Sequence, residues 1–218
     1  MVHADAAFLP DHIKTKGDLY DHLYSQLQSL LADQRSWVSN LSNASSVIYH
    51  TLNSFAPWKD EKKVNWAGFY LLSPLLPSPP KVKKPTLLLG PFHGLPACQL
   101  IFSVPGKGVC ADASALLPPR TVKVDRTDDY PGHIACDSAS QSEIVVPIVV
   151  AREKVNGLRA HKGKQGAELP IEWQGRGDGE KVIVGVLDID CEAVEGFDQE
   201  DVKGLERIVE LISSSCDW

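Results

Sequence analysis

Helical periodicity at both ends of the chain, with short β-branched or aromatic runs between them, predicts an α+β fold: an antiparallel sheet covered by helices. Proline- and glycine-rich stretches punctuate the central runs and mark where strands must stop. At 218 residues the chain suits a single core, read as one domain over 18–218 after an irregular arm at 1–17.

From Asp18, Leu19, Leu23, Leu27 and Leu30/Leu31 recur at helical spacing. A second helix carries Trp37, Leu41, Ile48, Leu52 and Phe55 on one face and is stopped by Pro57. Val64 to Leu72 is short and aromatic, the composition of a buried strand. Its period of two puts Trp66, Gly68 and Tyr70 on one face. Two aromatics flanking a glycine leave a gap for a small apolar group, although this stretch alone favours plain core packing. The proline-rich Ser73 to Pro85 cannot be a central strand and reads as a hairpin excursion, with Thr86 to Gly90 as the returning strand. Residues 90 to 102 are turn-rich, hold Cys98, and end in a strand. Gly106-Lys107-Gly108 opens a short helix from Val109, with Cys110 in its first turn, where a helix dipole favours a thiolate. Thr121 to Asp125 alternates as a short strand. Pro131-Gly132 then turns the chain into a loop bearing His133, Cys136 and Asp137.

Ser142 to Val150 is continuous and β-branched, hence a central strand, with Glu143 on the same face as Val145 and Pro147. Residues 152 to 180 are rich in Gly, Lys and Gln without a sustained period, and read as an inserted, mobile surface loop. Lys181 to Asp190 is the last strand, and Asp188 and Asp190 share one of its faces. Asp198 is suited to cap a final helix with Val202, Leu205, Ile208/Val209 and Ile212 inward.

The net charge of -6 argues against a nucleic-acid surface, which needs clustered Lys and Arg. The apolar runs Ile144 to Ala151 and Val182 to Leu187 are too short to span a bilayer. The N-terminus has neither a basic segment nor an apolar run of signal-peptide length, so a cytoplasmic home, or a nuclear one, is expected. Five cysteines, an odd count, then point to structural, metal-binding or reactive thiols rather than a secreted disulfide framework.

Cys98, Cys110 and Cys136 all fall in loops or at element edges. A reductase that regenerates through a disulfide needs at least an attacking and a resolving thiol. An inert, buried cysteine is the alternative for each, and is least attractive for Cys136 after Pro-Gly. His133 and Cys136 with His93 and Cys98 or Cys110 offer four zinc ligands, but their spacing matches no common zinc module and there is no Cys-x-x-Cys pair. A bound metal is therefore not expected. Glu143, Asp188 and Asp190 are either rim-exposed and inert or convergent. If they converge, repulsion raises at least one pKa and leaves a proton donor near neutral pH. The same cluster suits a substrate ammonium.

In order along the chain stand Asn65-Trp66-Ala67-Gly68-Phe69-Tyr70, Leu89-Gly90-Pro91-Phe92, Pro96-Ala97-Cys98, Gly106-Lys107-Gly108-Val109-Cys110, Tyr130-Pro131-Gly132-His133-Ile134-Ala135-Cys136-Asp137, Ser142 to Pro147 and Leu187-Asp188-Ile189-Asp190. This set closely resembles the free methionine-(R)-sulfoxide reductases, single GAF-domain enzymes, from about Tyr20 to Cys216. The resemblance implies a GAF fold and reduction of free L-methionine (R)-S-oxide, with no bound cofactor and with thioredoxin as the reductant, drawing on NADPH indirectly. It implies Cys136 as the nucleophile that becomes a sulfenic acid, Cys110 as the principal resolving thiol, and Cys98 as the additional thiol of the exchange. Glu143, Asp188 and Asp190 would contact the substrate's polar groups, one of them protonating the departing oxygen, and Trp66 and Tyr70 would hold the S-methyl group. Backbone N–H groups of the Gly132 to Cys136 loop, those of Ile134 and Ala135 among them, would receive the substrate carboxylate. A homodimer is also implied.

His93 and Leu95 depart from the family pattern, which has more polar, longer residues there, and Ala111 replaces the usual glycine after Cys110. The proline-rich hairpin and the 152–180 insertion are longer than compact members need. The competing reading is a GAF small-molecule or redox sensor without turnover, since a fold alone does not decide function.

Overall fold

The computed structural model describes residue 5 and residues 8–58, 61–76, 84–133, 137–155 and 180–218. Among the described residues, four helices and six strands follow one another as α1 (Lys16–Leu30), α2 (Trp37–Ser54), β1 (Val64–Leu72), β2 (Thr86–Gly94), β3 (Leu100–Phe102), α3 (Val109–Ala115), β4 (Val122–Val124), β5 (Ser142–Ala151), β6 (Lys181–Cys191) and α4 (Gln199–Ser215). The strands form one sheet in the order β3-β2-β1-β6-β5-β4, every neighbouring pair antiparallel. The α+β layout expected from the sequence is the one adopted. The expected strand at Thr86 to Gly90 runs on to Gly94, because Phe92, His93 and Gly94 continue the ladder against Gly68, Ala67 and Trp66.

α1, α2 and α4 pack on one another, with α2 against β1 and β2 and α4 against β5. The helix ends follow from their caps. Thr15 accepts the Asp18 N–H, and Asp198 and Asp201 cap the start of α4 reciprocally. Leu205, Ile208, Val209 and Ile212 on α4 are buried as their spacing requires, each worth roughly 1.5–3 kcal/mol of burial, while Val202 is only half-buried. Gly204 lets α4 lie directly on α1, since a Cβ there would stand 2.2 Å from the Tyr20 ring. The N-terminal arm is less free than its lack of periodicity suggests: Ile13 is buried in the core.

The opposite face of the sheet carries the short helix α3, which packs against β5 and β6. Neighbouring residues of β2 separate the two faces. His93 bonds across to Ser45 of α2, whereas Phe92 stacks on Trp66. The proline-rich excursion and the long insertion lie mostly outside the described residues, except for short 3₁₀ turns at Ser73–Leu75 and Arg152–Lys154 and the buried Val155.

Candidate active site

Between α3 and the sheet lies a cavity of about 280 Å³. β1 supplies Trp66 and Tyr70, β5 supplies Glu143, and β6 supplies Asp188 and Asp190; Cys98 comes from the β2–β3 connection and Cys110 from α3. Register explains the convergence of the acids. Glu143 pairs with Asp190 and Val145 with Asp188 across β5 and β6, so three carboxyl side chains emerge on one face within two rungs of ladder. Glu143 and Asp188 are not rim-exposed: they are 5 % and 6 % exposed, with Asp190 part-exposed beside them.

Burial, and then the mutual repulsion of the acids, raises Glu143, Asp188 and Asp190 well above the ordinary carboxylate range. One carboxylate oxygen of Glu143 lies within 4.8 Å of one of Asp188. Lys107, at the exposed rim, is the one Lys or Arg among the described residues lining the cavity. His133 Nε2 stands 3.5 Å from Glu143 Oε2, but burial lowers its pKa, so at neutral pH it is an uncharged imidazole beside an acid. The cluster is a set of acids with raised proton affinity in a poorly solvated pocket.

Cys110 lies against these acids, its Sγ 3.9 Å from Glu143 Oε1. The expectation that a helix dipole favours a thiolate here is overturned. Burial first, then Asp188 and Glu143, push the thiol well above its ordinary value. A seven-residue helix offers a small dipole, and nearby carboxyls oppose it. Cys98 is part-exposed on the cavity wall, and its carbonyl accepts the Tyr70 hydroxyl at 3.0 Å.

The aromatic wall differs from the sequence expectation in one respect. Trp66 and Tyr70 share a face and stack, ring centroids 5.8 Å apart, but there is no gap over Gly68. A Cβ there would meet Phe92 Cβ at 2.3 Å and Trp66 Cη2 at 2.5 Å. The glycine makes room for Trp66 and Phe92 themselves, which stack with centroids 5.4 Å apart. The apolar wall is therefore the outer face of a packed aromatic group. Two buried polar atoms in the cavity lining, Trp66 Nε1 and Asp188 Oδ1, have no hydrogen-bond partner among the described residues. A ligand bearing both an acceptor oxygen and a donor group suits them.

Cys136, Ile134 and Ala135 lie outside the described residues. The segments on either side are held in place. Before them, Gly132 adopts φ +74 and packs so closely on Gly106 that a Cβ would stand 2.5 Å from the Gly106 carbonyl oxygen. Asp112 fastens the same two turns, accepting the Gly106 N–H and the Tyr130 hydroxyl, each at 2.6 Å. After them, Asn65 donates to Asp137 Oδ2 at 3.0 Å and to Ser140 Oγ at 2.9 Å, while Asp137 Oδ1 accepts the Ala139 N–H. That N–H, and then Asn65, keep Asp137 below its ordinary pKa. Ser140 also bonds to Asp190. Asn65, Asp112 and Ser140 are not among the site residues expected from the sequence; their one signal there is Asn65 beside Trp66 on a strand otherwise wholly apolar or aromatic.

The remaining histidine and thiols take no part in the site. His93, a candidate zinc ligand, lies on the α2 face, its ring 5.8 Å from His50 and its Nδ1 3.2 Å from Ser45, so that four-ligand set does not assemble. Cys191 and Cys216 are buried among structural bonds, and burial pushes Cys216 up to about 11. Leu95, one of the departures from the family pattern, is an exposed residue on the cavity rim, and Ala111 is buried. Among the described residues, no helix is long and apolar enough to cross a membrane.

No protein-family model matches the chain. It is 37% identical over 214 residues to a free methionine-R-sulfoxide reductase of Saccharomyces cerevisiae, an alignment covering 98% of this chain and 94% of the relative. A solved structure described as that of the GAF domain superposes with a TM-score of 0.74 at 37% identity, covering 100% of this chain and 98% of the other. The X-ray structure of free methionine-R-sulfoxide reductase from Neisseria meningitidis, in complex with its substrate, superposes with a TM-score of 0.66 at 30% identity, covering 95% and 93%.

Proposed function

This chain belongs to the free methionine-R-sulfoxide reductases of the GAF fold, and from that premise we propose that it reduces free L-methionine (R)-S-oxide to L-methionine. One observation carries the mechanism: a buried acid cluster with raised proton affinity lies in the same cavity as a thiol and an aromatic wall.

The Cys136 thiolate attacks the sulfoxide sulfur, and an acid of the Glu143, Asp188 and Asp190 cluster protonates the sulfoxide oxygen. The oxygen then passes from the substrate sulfur to Cys136 Sγ as the sulfur–sulfur bond made in the attack breaks, so that methionine leaves and Cys136 is left as a sulfenic acid. The acid that gave its proton is now a carboxylate, able to take the proton of Cys110. Cys110 then displaces hydroxide, released as water, and a disulfide forms with Cys136. Holding Cys110 as a thiol until that proton has moved keeps it from competing for substrate. Cys98, part-exposed at the rim, passes the disulfide outward to thioredoxin. Trp66 and Tyr70 hold the S-methyl group, an acid of the cluster takes the ammonium, and the Ile134 and Ala135 N–H groups take the carboxylate. A homodimer is part of the same reading.

The test is NADPH oxidation coupled through thioredoxin and its reductase, run with separated R and S epimers of free methionine sulfoxide. Turnover is expected with the R epimer alone and is abolished by Cys136→Ser, while Cys110→Ser yields one equivalent of methionine per enzyme without recycling. Full activity in Cys136→Ser, or no signal with either epimer, would move the assignment to a GAF sensor.

A further inference from the structure

The cavity floor holds an arrangement that sulfoxide chemistry alone does not call for. Cys110 Sγ and one carboxylate oxygen each of Glu143 and Asp188 all lie within 4.8 Å of one another, and all three residues are buried. In tetrahedral zinc sites thiolate bonds are about 2.3 Å and carboxylate bonds about 2.1 Å, which places sulfur and oxygen roughly 3.6 Å apart. Cys110 Sγ and Glu143 Oε1 are 3.9 Å apart, so side-chain rotation within a closed shell suffices. Asp188 Oδ1, buried and without a partner among the described residues, is a ready lone pair in the same place. We propose that Cys110, Glu143 and Asp188 form a reversible inhibitory site for one zinc ion.

The donor set selects the metal. One thiolate with two carboxylates suits a borderline-soft ion, whereas magnesium and calcium take oxygen donors. Three acids crowded together without a buried cation are what a divalent ion relieves, as the thiol proton passes to solvent. His133 Nε2, 3.5 Å from Glu143 Oε2, supplies the outer contact that steadies a ligating carboxylate. All three residues line the cavity, which is left to supply a fourth ligand. The inhibitory consequence rests on the reductase reading: zinc ties up the resolving thiol and two of the acids at once. The binding itself does not rest on it.

The experiment titrates zinc into the fully reduced full-length chain against a chromophoric chelator. One equivalent is expected, with a Kd on the order of 1 µM or tighter. Cys110→Ser and Asp188→Asn should each weaken it by about tenfold or more, while Cys98→Ser stays within about twofold. Cobalt in place of zinc should give a thiolate charge-transfer band that Cys110→Ser removes, provided circular dichroism shows the variant folded. Metal-free wild type should lose turnover on adding zinc, with an inhibition constant matching the Kd, and regain it with a chelator. Substoichiometric binding, or binding kept in Cys110→Ser and lost in Cys98→Ser, overturns the site. A wild type that binds zinc yet never reduces methionine sulfoxide when metal-free counts against the reductase reading and for the site.

Discussion

Two groups of buried acids in this chain have opposite characters. Asp201, fully buried beneath α1, meets Lys16 Nζ at 2.5 Å, the Tyr20 hydroxyl at 2.9 Å and the Asp198 N–H at 2.7 Å. Burial still raises Asp201, but every neighbour pulls it back toward ionisation. Glu143 and Asp188, buried to a similar degree, face each other, Asp190 and the Cys110 thiol, and burial with mutual repulsion lifts them together. A buried acid with a cation and donors holds helices together. Buried acids without them hold their protons more tightly, at a cost in stability.

The sharpest way to test that contrast is to remove one of these acids. Glu143→Gln or Asp188→Asn should lower kcat/KM for free methionine (R)-sulfoxide by roughly 10²- to 10⁴-fold, the usual range for loss of a general acid. Activity within about twofold of wild type would place these acids outside the chemistry. The mirror experiment, Asp201→Ala, leaves Lys16 without its buried partner and should cost about 3 kcal/mol in denaturant unfolding. Turnover of the folded protein should stay within about twofold, and a large loss would mean the two clusters are coupled.

Asn65 tests the contrast at the boundary between scaffold and site. Its amide joins Asp137, next to Cys136, to Ser140, which contacts Asp190. Asn65→Ala should lower kcat about tenfold through misplacement, with a smaller change in KM. A fall in stability with unchanged kcat would make it scaffold only.

The smallest effect is in stability and runs with pH. Because Glu143 and Asp188 are raised in the folded state, the stability they contribute is present in full below the ordinary carboxylate range. It is lost as pH climbs through their raised folded values. Glu143→Gln removes that loss. Its thermal midpoint should therefore exceed wild type by an amount that widens from about pH 5 to about pH 8. The gain should reach on the order of 1 kcal/mol, or about 2–4 °C for a chain of this length. A constant offset across that range would show that Glu143 does not titrate with folding.

Much of the molecule was legible as periodicity. The helices, the six strands and the shared face of Asp188 and Asp190 follow from residue spacing, because side-chain direction along a regular element repeats with fixed period. The motifs at Trp66, Cys98, Cys110 and Glu143 named residues that do line one cavity. Their electrostatics were not legible. Cys110 at a helix start reads as a thiolate in one dimension and is a high-pKa thiol in three, since the acids opposing it are 33 and 78 residues away in the chain. Likewise Gly68 reads as a gap until Phe92 arrives from the next strand to fill it.

By itself, then, the sequence determined the elements, the order of the thiols, and the family to which those motifs belong. All of these depend on local pattern. Only the tertiary structure decided that Glu143, Asp188 and Cys110 share one buried shell, that Asn65 ties the Asp137 loop to Asp190 through Ser140, and that His93 faces away from the site. Register between distant strands sets such distances, and solvent exclusion sets the proton affinities; neither has a signature in any short window of sequence.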